Sequence, residues 1–268
     1  VARRFGVQLM PWQRHALDVS GELVPDPDVP GQLVHAYDTV IVTVGRRAGK
    51  SMLVLAKLLG VAVSGRNRRA WYTAQSRGDA AMTLRDEWIP AIAASPLGPH
   101  VKPRESNGTE ALLIPARTSI VRLFAPTPTA LHGQSGDVIV FDEAFAHSLA
   151  RGQELQIAAR PLMATRPGAQ QFILSAAGDS DSTWLADRVE VGRAAAAANT
   201  GRGVCHLEWS ADVDGLDLDD PRTWIESHPA VRHPGNPLGT IPMAWLHSEH
   251  ERDPDQFRRL YLNVTDRS

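Results

Sequence analysis

The stretch Val40-Ile41-Val42-Thr43-Val44-Gly45-Arg46-Arg47-Ala48-Gly49-Lys50-Ser51 decides the fold. Its first five residues are all β-branched, the composition of a buried strand. The run that follows, Ser51 to Ser64 (SMLVLAKLLGVAVS), is apolar almost all round and reads as a mostly buried helix. Between strand and helix lie Gly45, Gly49 and then Lys-Ser. A strand that enters a glycine-containing loop, ends in Lys-Ser and opens a helix has the geometry of a phosphate cradle. Backbone N–H groups of such a loop point at a β-phosphate. Lys50 reaches the β- and γ-phosphates, and the Ser51 hydroxyl is placed to ligate Mg2+. The general pattern sets one more residue between its glycines, and its usual first glycine falls here on Val44. A bare Gly-Lys-Ser also arises at ordinary helix starts that carry a surface lysine.

Working outward, Val138-Ile139-Val140-Phe141-Asp142-Glu143 is four apolar residues followed by two acids. A central strand that ends in Asp places a carboxylate at the carboxyl edge of a sheet, where open α/β folds bind ligands. Asp142 would hold Mg2+, and Glu143 would act as general base on the attacking water. The alternative is a strand that simply ends in solvated acids. Upstream, Pro11-Trp12-Gln13 offers a Gln amide for the adenine edge and an aromatic to pack on the ring. The same residues also suit a helix start with Pro at its first position. Phe172-Ile173-Leu174-Ser175-Ala176-Ala177-Gly178 is a strand ending in small residues, the kind of segment that lies between a γ-phosphate and moving parts.

The rest of the chain repeats the strand and helix texture. Strands are expected at residues 70–74, 111–114, 119–124, 171–175 and 204–209, the 111–124 pair as a hairpin. Helices are expected at 77–94, with Met82, Trp88 and Ile92 as apolar positions, and at 152–164 and 182–199. Apolar strands alternating with helices argue for an α/β sheet covered on both faces. From Ser210 the texture changes to an acidic loop (Asp212, Asp214, Asp217, Asp219, Asp220) that lacks EF-hand spacing. Two helices follow, 243–252 and 254–264. This divides the chain into a core of residues 1–210 and a C-terminal appendage or linker of residues 211–268.

Composition limits the function classes. The 268 residues carry 28 Lys+Arg against 30 Asp+Glu, a net charge of -2, with 43% hydrophobic residues. That excludes disorder as the main state and a uniformly basic nucleic-acid coat, but leaves room for a local basic groove. A single Cys205 excludes a disulfide framework and a multi-cysteine zinc site, and fits a reducing, intracellular setting. No run is long and apolar enough to span a membrane, and residues 1–5 lack the apolar core of a secretory signal. His247 and His250 share a helix face but have no third metal ligand nearby in sequence. Arg66, Arg68 and Arg69 could touch DNA phosphates or simply solvate a turn.

Together these residues resemble the N-terminal ATPase domain of the large terminase subunit of tailed bacteriophages. Gly45-Arg46-Arg47-Ala48-Gly49-Lys50-Ser51 matches that family's shorter phosphate loop, which explains the missing residue. Pro11-Trp12-Gln13 matches its adenine-side motif, and Leu131-His132-Gly133-Gln134 its Leu-Arg-Gly-Gln run before the Asp-Glu strand. Ser175, Ala176 and Gly178 fall on its coupling motif, and residues 255–263 on its exit from the domain.

The resemblance implies a P-loop NTPase fold of the RecA/ASCE-like kind: a mainly parallel sheet with helices on both faces and a small helical linker region. It implies an ATP- and Mg2+-dependent motor that drives double-stranded DNA into a procapsid. The motor would work as a homo-oligomeric ring on the portal protein with the small terminase subunit, in the host cytoplasm and away from membranes. Arg46 is the implied γ-phosphate sensor in cis. His132 stands where an arginine is common, so Arg122, Arg160 or Arg166 could serve a neighbouring subunit instead, or Arg46 could act alone. The family's nuclease domain would begin about where this sequence stops, which implies a fragment without DNA-cutting activity. Two rivals stay open: a helicase-like translocase, for which about sixty residues after Ser210 are too few to build a second lobe, and an assembly module that binds nucleotide without turnover.

Overall fold

A computed structural model describes residue 6 and residues 8–265; the stretch 1–5 lies outside them. Helix α1 (Pro11–Ser20) comes first, then a small hairpin of β1 (Leu23–Pro25) and β2 (Leu33–His35). Strand β3 (Tyr37–Val44) leads through the glycine loop into α2 (Lys50–Ser64). Next are β4 (Arg69–Thr73), α3 (Arg77–Met82), a π-helical turn (Thr83–Trp88) and α4 (Ile89–Ala93). Strands β5 (Lys102–Arg104), β6 (Ala111–Ile114), β7 (Ser119–Leu123) and β8 (Val138–Phe141) follow. Helix α5 (Leu149–Met163), β9 (Gln170–Ser175), α6 (Thr183–Ala198) and β10 (Gly203–Trp209) complete the alternation. The chain then forms α7 (Pro221–Ser227), α8 (Met243–Arg252) and α9 (Pro254–Leu260).

Eight strands make one sheet in the order β10-β3-β9-β8-β4-β7-β6-β5. From β10 to β7 all neighbours are parallel, while β6 and β5 add antiparallel pairs at one edge. The 111–123 hairpin is as expected from sequence. Parallel pairing sends the carboxyl ends of β3, β9, β8 and β4 to one edge. Strand β9 sits between β3 and β8, and register pairs Thr43 with Ser175 and Phe141 with Ile173 and Thr73. The phosphate loop, Ser175 and Asp142 therefore emerge level with one another.

The strands alternate which face they feed. Val138, Val140, Phe172 and Leu174 join one apolar cluster with Leu53, Leu55, Leu58 and Leu59 of α2. Ile139, Phe141 and Ile173 join a second with Leu155, Leu162, Trp184 and Leu185 of α5 and α6. With both faces covered, β8 and β9 are buried at every position, which is why they read as continuous apolar runs. This is the mainly parallel, doubly covered α/β fold expected from sequence.

Three expectations change. The helix read across 77–94 is interrupted by the π-helical turn, and Met82, expected to point inward, is 59% exposed. Trp88 and Ile92 are buried as expected, and Ala80, Ala81 and Leu84 complete the inward face. The segment after Ser210 is not a separate layer: Trp224, Ala230, Val231, Leu246, Phe257 and Leu262 lie in the same cluster as α2 and β3. Helix α9 ends at Leu260, short of Val264.

Candidate nucleotide site

The loop between β3 and α2 is shaped by backbone conformations that most side chains avoid. Gly49, at the helix N-cap, is left-handed at φ 90°, and Arg47 is held at φ 63°. Gly45 is needed for another reason. A Cβ there would lie 2.5 Å from the Tyr261 carbonyl oxygen, because the C-terminal segment presses on the loop. Arg46 N–H donates to Leu260 O at 2.7 Å, and His228 Nε2 bonds Arg46 O at 2.9 Å. Ala230 N donates to the other ring nitrogen, so His228 holds a single proton, on Nε2. Burial lowers its pKa from the ordinary value and keeps it neutral.

Trp12 and Gln13 brace the loop from behind. Trp12 Nε1 donates to Ala48 O at 3.2 Å, and Gln13 Nε2 donates to Gly49 O at 2.8 Å. Gln13 Oε1 accepts from Met10 N at 2.8 Å, closing a capping box with Pro11 at the first helical position. Both side chains are buried. Sequence placed them at the adenine edge. Here both polar ends of the Gln13 amide are occupied, and its partner is the loop backbone.

In front of the loop lies a cleft of 690 Å³, walled by Arg46, Arg47, Lys50, Ser51, Tyr72, Glu87, Asp142 and Glu143 among others. Lys50 and Glu143 face each other across it, with Nζ 3.9 Å from Oε1. The Arg46 guanidinium lies over the Phe145 ring at 5.4 Å. Glu143 adopts a left-handed backbone, φ 55° and ψ 47°, uncommon for a non-glycine residue. Asp142 Oδ1 accepts from Glu143 N at 2.9 Å, and Asp142 Oδ2 accepts from the Tyr72 hydroxyl at 3.1 Å. Burial, then the charge of Glu143, raises the Asp142 carboxyl to about 6, against the pull of Lys50. Asp142 and the Ser51 hydroxyl form an all-oxygen donor pair of the kind Mg2+ takes while keeping water and substrate oxygens. Among the described residues no group of three or more His, Cys, Asp and Glu could hold a metal. His250 instead bonds Asp219 at 2.9 Å and packs with His247 on Trp224.

Ser175 joins the sheet edge to this cleft. Its hydroxyl accepts from Phe145 N at 3.1 Å, and Phe145 carries Arg46. Ala177 N donates to Asn263 Oδ1 at 2.6 Å, so the segment of Ser175, Ala176 and Gly178 also touches the C-terminal segment. Of the other arginines considered, Arg122 lies on the Trp71 ring. Arg166 bonds Asn67 O and Ser135 Oγ, Arg160 is exposed on α5, and His132 is exposed after a short turn. Arg68 is paired with Asp137 at 2.6 Å. Tyr72, Glu87, Phe145 and His228 were not singled out from sequence, and Asn263 only as the end of the segment matched to the family's exit from the domain. Only the first lies in a strand whose direction toward the loop edge could have flagged it.

No protein-family model matches the sequence, and no curated protein matches it. Solved structures do. The HK97 bacteriophage large terminase matches with a TM-score of 0.74 at 19% identity, over 97% of this chain and 51% of that one. The Thermus phage P74-26 large terminase ATPase domain matches at 0.54 and 14%, over 96% of this chain and 99% of that one. The large terminase from a thermophilic bacteriophage, in complex with ADP, matches at 0.51 and 14%, over 75% and 46%. The chain thus spans about half the length of the HK97 protein it matches. The resemblance read from the motifs holds at the level of architecture: this chain has the P-loop NTPase-like fold of the ATPase domain of phage large terminases.

Proposed function

We propose that this chain is the ATP-hydrolysing motor domain of a viral DNA-packaging terminase large subunit. The observation that carries the reading is the convergence of Lys50, Ser51, Asp142 and Glu143 on one cleft at the carboxyl edge of the sheet. The loop N–H groups and Lys50 would hold the β- and γ-phosphates and the charge that builds on them. Glu143 would take the proton of the attacking water, its carboxylate aimed into the cleft by the left-handed backbone. The Ser51 hydroxyl and Asp142 would hold Mg2+, which when bound neutralises phosphate oxygens. Arg46 would sense the γ-phosphate in cis, and its seat on Phe145 would pass loss of that phosphate to Ser175 and on to Ala177 and Gly178. The ADP complex of the thermophilic phage's large terminase supports a nucleotide at such a site.

The rest of the reading rests on the fold it shares with terminases. ATP turnover would drive double-stranded DNA into a procapsid by a homo-oligomeric ring on the portal protein, with the small terminase subunit as partner, in the host cytoplasm. No helix among the described residues is long and apolar enough to cross a membrane. The test is turnover in assembled packaging complexes. Lys50→Ala should abolish it. Glu143→Gln should bind ATP with near-normal affinity and hydrolyse it roughly 10²–10⁴-fold more slowly. Wild-type rates in either variant would remove the assignment, and tight ATP binding without turnover in the unaltered protein would favour a nucleotide-gated assembly module.

A further inference from the structure

Ser51 is held by two neighbours outside the phosphate loop, both on the π-helical turn Thr83–Trp88. Its Oγ donates to Glu87 Oε2. Trp88 Nε1 donates to Ser51 Oγ at 3.1 Å and to Ser51 O at 3.2 Å. A serine hydroxyl has one proton and two lone pairs. The proton is spent on Glu87 and one lone pair on Trp88, so a single lone pair is left for the cleft. The hydroxyl can then act there only as an acceptor, which is what a cation needs from it.

The same aromatic cluster touches the second oxygen of the donor pair. Trp88 is fully buried and packs on Tyr72, ring centroids 4.6 Å apart. The Tyr72 hydroxyl donates to Asp142 Oδ2, while Glu143 N holds Oδ1. One rigid indole–phenol pair therefore carries a polar handle to each of the two side chains that face the cation.

We propose that Tyr72, Glu87 and Trp88 are positioning residues that hold the Ser51 hydroxyl and the Asp142 carboxylate as a preset pair of cation ligands. The inference rests on the reading of the cleft as a Mg2+-nucleotide site. It gives the π-helical turn after β4 a purpose: this turn is where the chain delivers adjacent residues, Glu87 and Trp88, to one hydroxyl. Outer-layer partners of this kind orient ligands, and their removal costs roughly 10–100-fold in metal affinity.

The experiment measures Mn2+ binding, as a spectroscopic stand-in for Mg2+, by electron paramagnetic resonance on the protein saturated with ADP. ADP affinity is measured separately in EDTA. Glu87→Ala and Tyr72→Phe should each weaken Mn2+ binding roughly 10–100-fold and leave ADP binding in EDTA within about 3-fold, the split that a general loss of structure would not give. Glu87→Gln still accepts the Ser51 proton and should recover most of the Mn2+ affinity. Unchanged Mn2+ affinity in Glu87→Ala and Tyr72→Phe would overturn the proposal, as would equal losses with and without metal. A Glu87→Gln variant as weak as Glu87→Ala would show that charge, and not orientation of the hydroxyl, is what Glu87 supplies. If the unaltered protein and Lys50→Ala bind ADP equally poorly, the nucleotide reading fails, and that result is distinct from a failure of the positioning alone.

Discussion

Glu143 shows what the chain accepts at one residue to place one carboxylate. Its left-handed backbone, φ 55° and ψ 47°, carries strain of order 1–3 kcal/mol for a side chain with a Cβ. The strain is tolerated because Asp142 and Ser175 pin the turn through the N–H groups of Glu143 and Phe145. Glycine would relieve it at an entropic cost of roughly 0.5–1 kcal/mol. Glu143→Gly is thus expected to be about 1 kcal/mol more stable in urea unfolding, while ATP turnover is lost. A clear loss of stability would contradict the strain. At this scale the sequence is most informative where chemistry sits in consecutive residues after an apolar strand, as with Lys50-Ser51 and Asp142-Glu143. Trp12 and Gln13 stand out in the sequence, but their hydrogen bonds run to a loop 36 positions away, a partner that no local pattern names. His228 carries no local mark at all: it matters only through the loop it meets after folding.

Among the elements, α2 combines two tasks, opening the phosphate loop at Lys50 and burying its length in the core. Lys57 shows the cost. It is buried, bonded to Gln170 Oε1 at 2.6 Å and set over the Phe172 ring at 4.8 Å. Burial lowers its pKa to about 8. The folded pKa lies below the unfolded one, so between about pH 8 and 10.5 the unfolded chain binds more protons. Stability should therefore rise with pH across that window, by up to about 3 kcal/mol. Lys57→Met should lack this rise, read as the difference between the two proteins in urea titrations at pH 7.5 and 10.5. Parallel slopes would contradict it. Strand identities were legible because β8 and β9 are buried on both faces and so read as unbroken apolar runs. The π-helical turn was not, since an α and a π stretch share the same apolar spacing over so few residues. Hairpin β1–β2 is short and half-exposed, and leaves little periodicity to read.

Across the whole molecule, the segment after Ser210 closes over the phosphate loop instead of trailing from it. Its acidic, proline-rich composition suggested a linker. Leu216 and Trp245 stay exposed, but its other large residues nonetheless turn inward: Trp224 is 1% exposed and meets Phe257 edge-on at 4.9 Å, and Leu260 and Tyr261 reach the loop itself. Trp224→Ala should cost about 3–5 kcal/mol, and loss of ADP binding should coincide with loss of helical circular dichroism in one transition. An early transition of the C-terminal segment, with nucleotide binding intact, would mean that this part is independent.

Triphosphate, cation and base are all assigned to one cleft, the one walled by Lys50, Ser51, Asp142 and Glu143. The measurement that meets this claim most directly is a crystal structure grown with Mg2+ and ATPγS. It should show the phosphates cradled by Gly45–Ser51, the cation between the Ser51 hydroxyl and Asp142, and Glu143 facing the γ-phosphorus. Phosphates bound elsewhere, or a loop left empty beside ordered nucleotide, would contradict it.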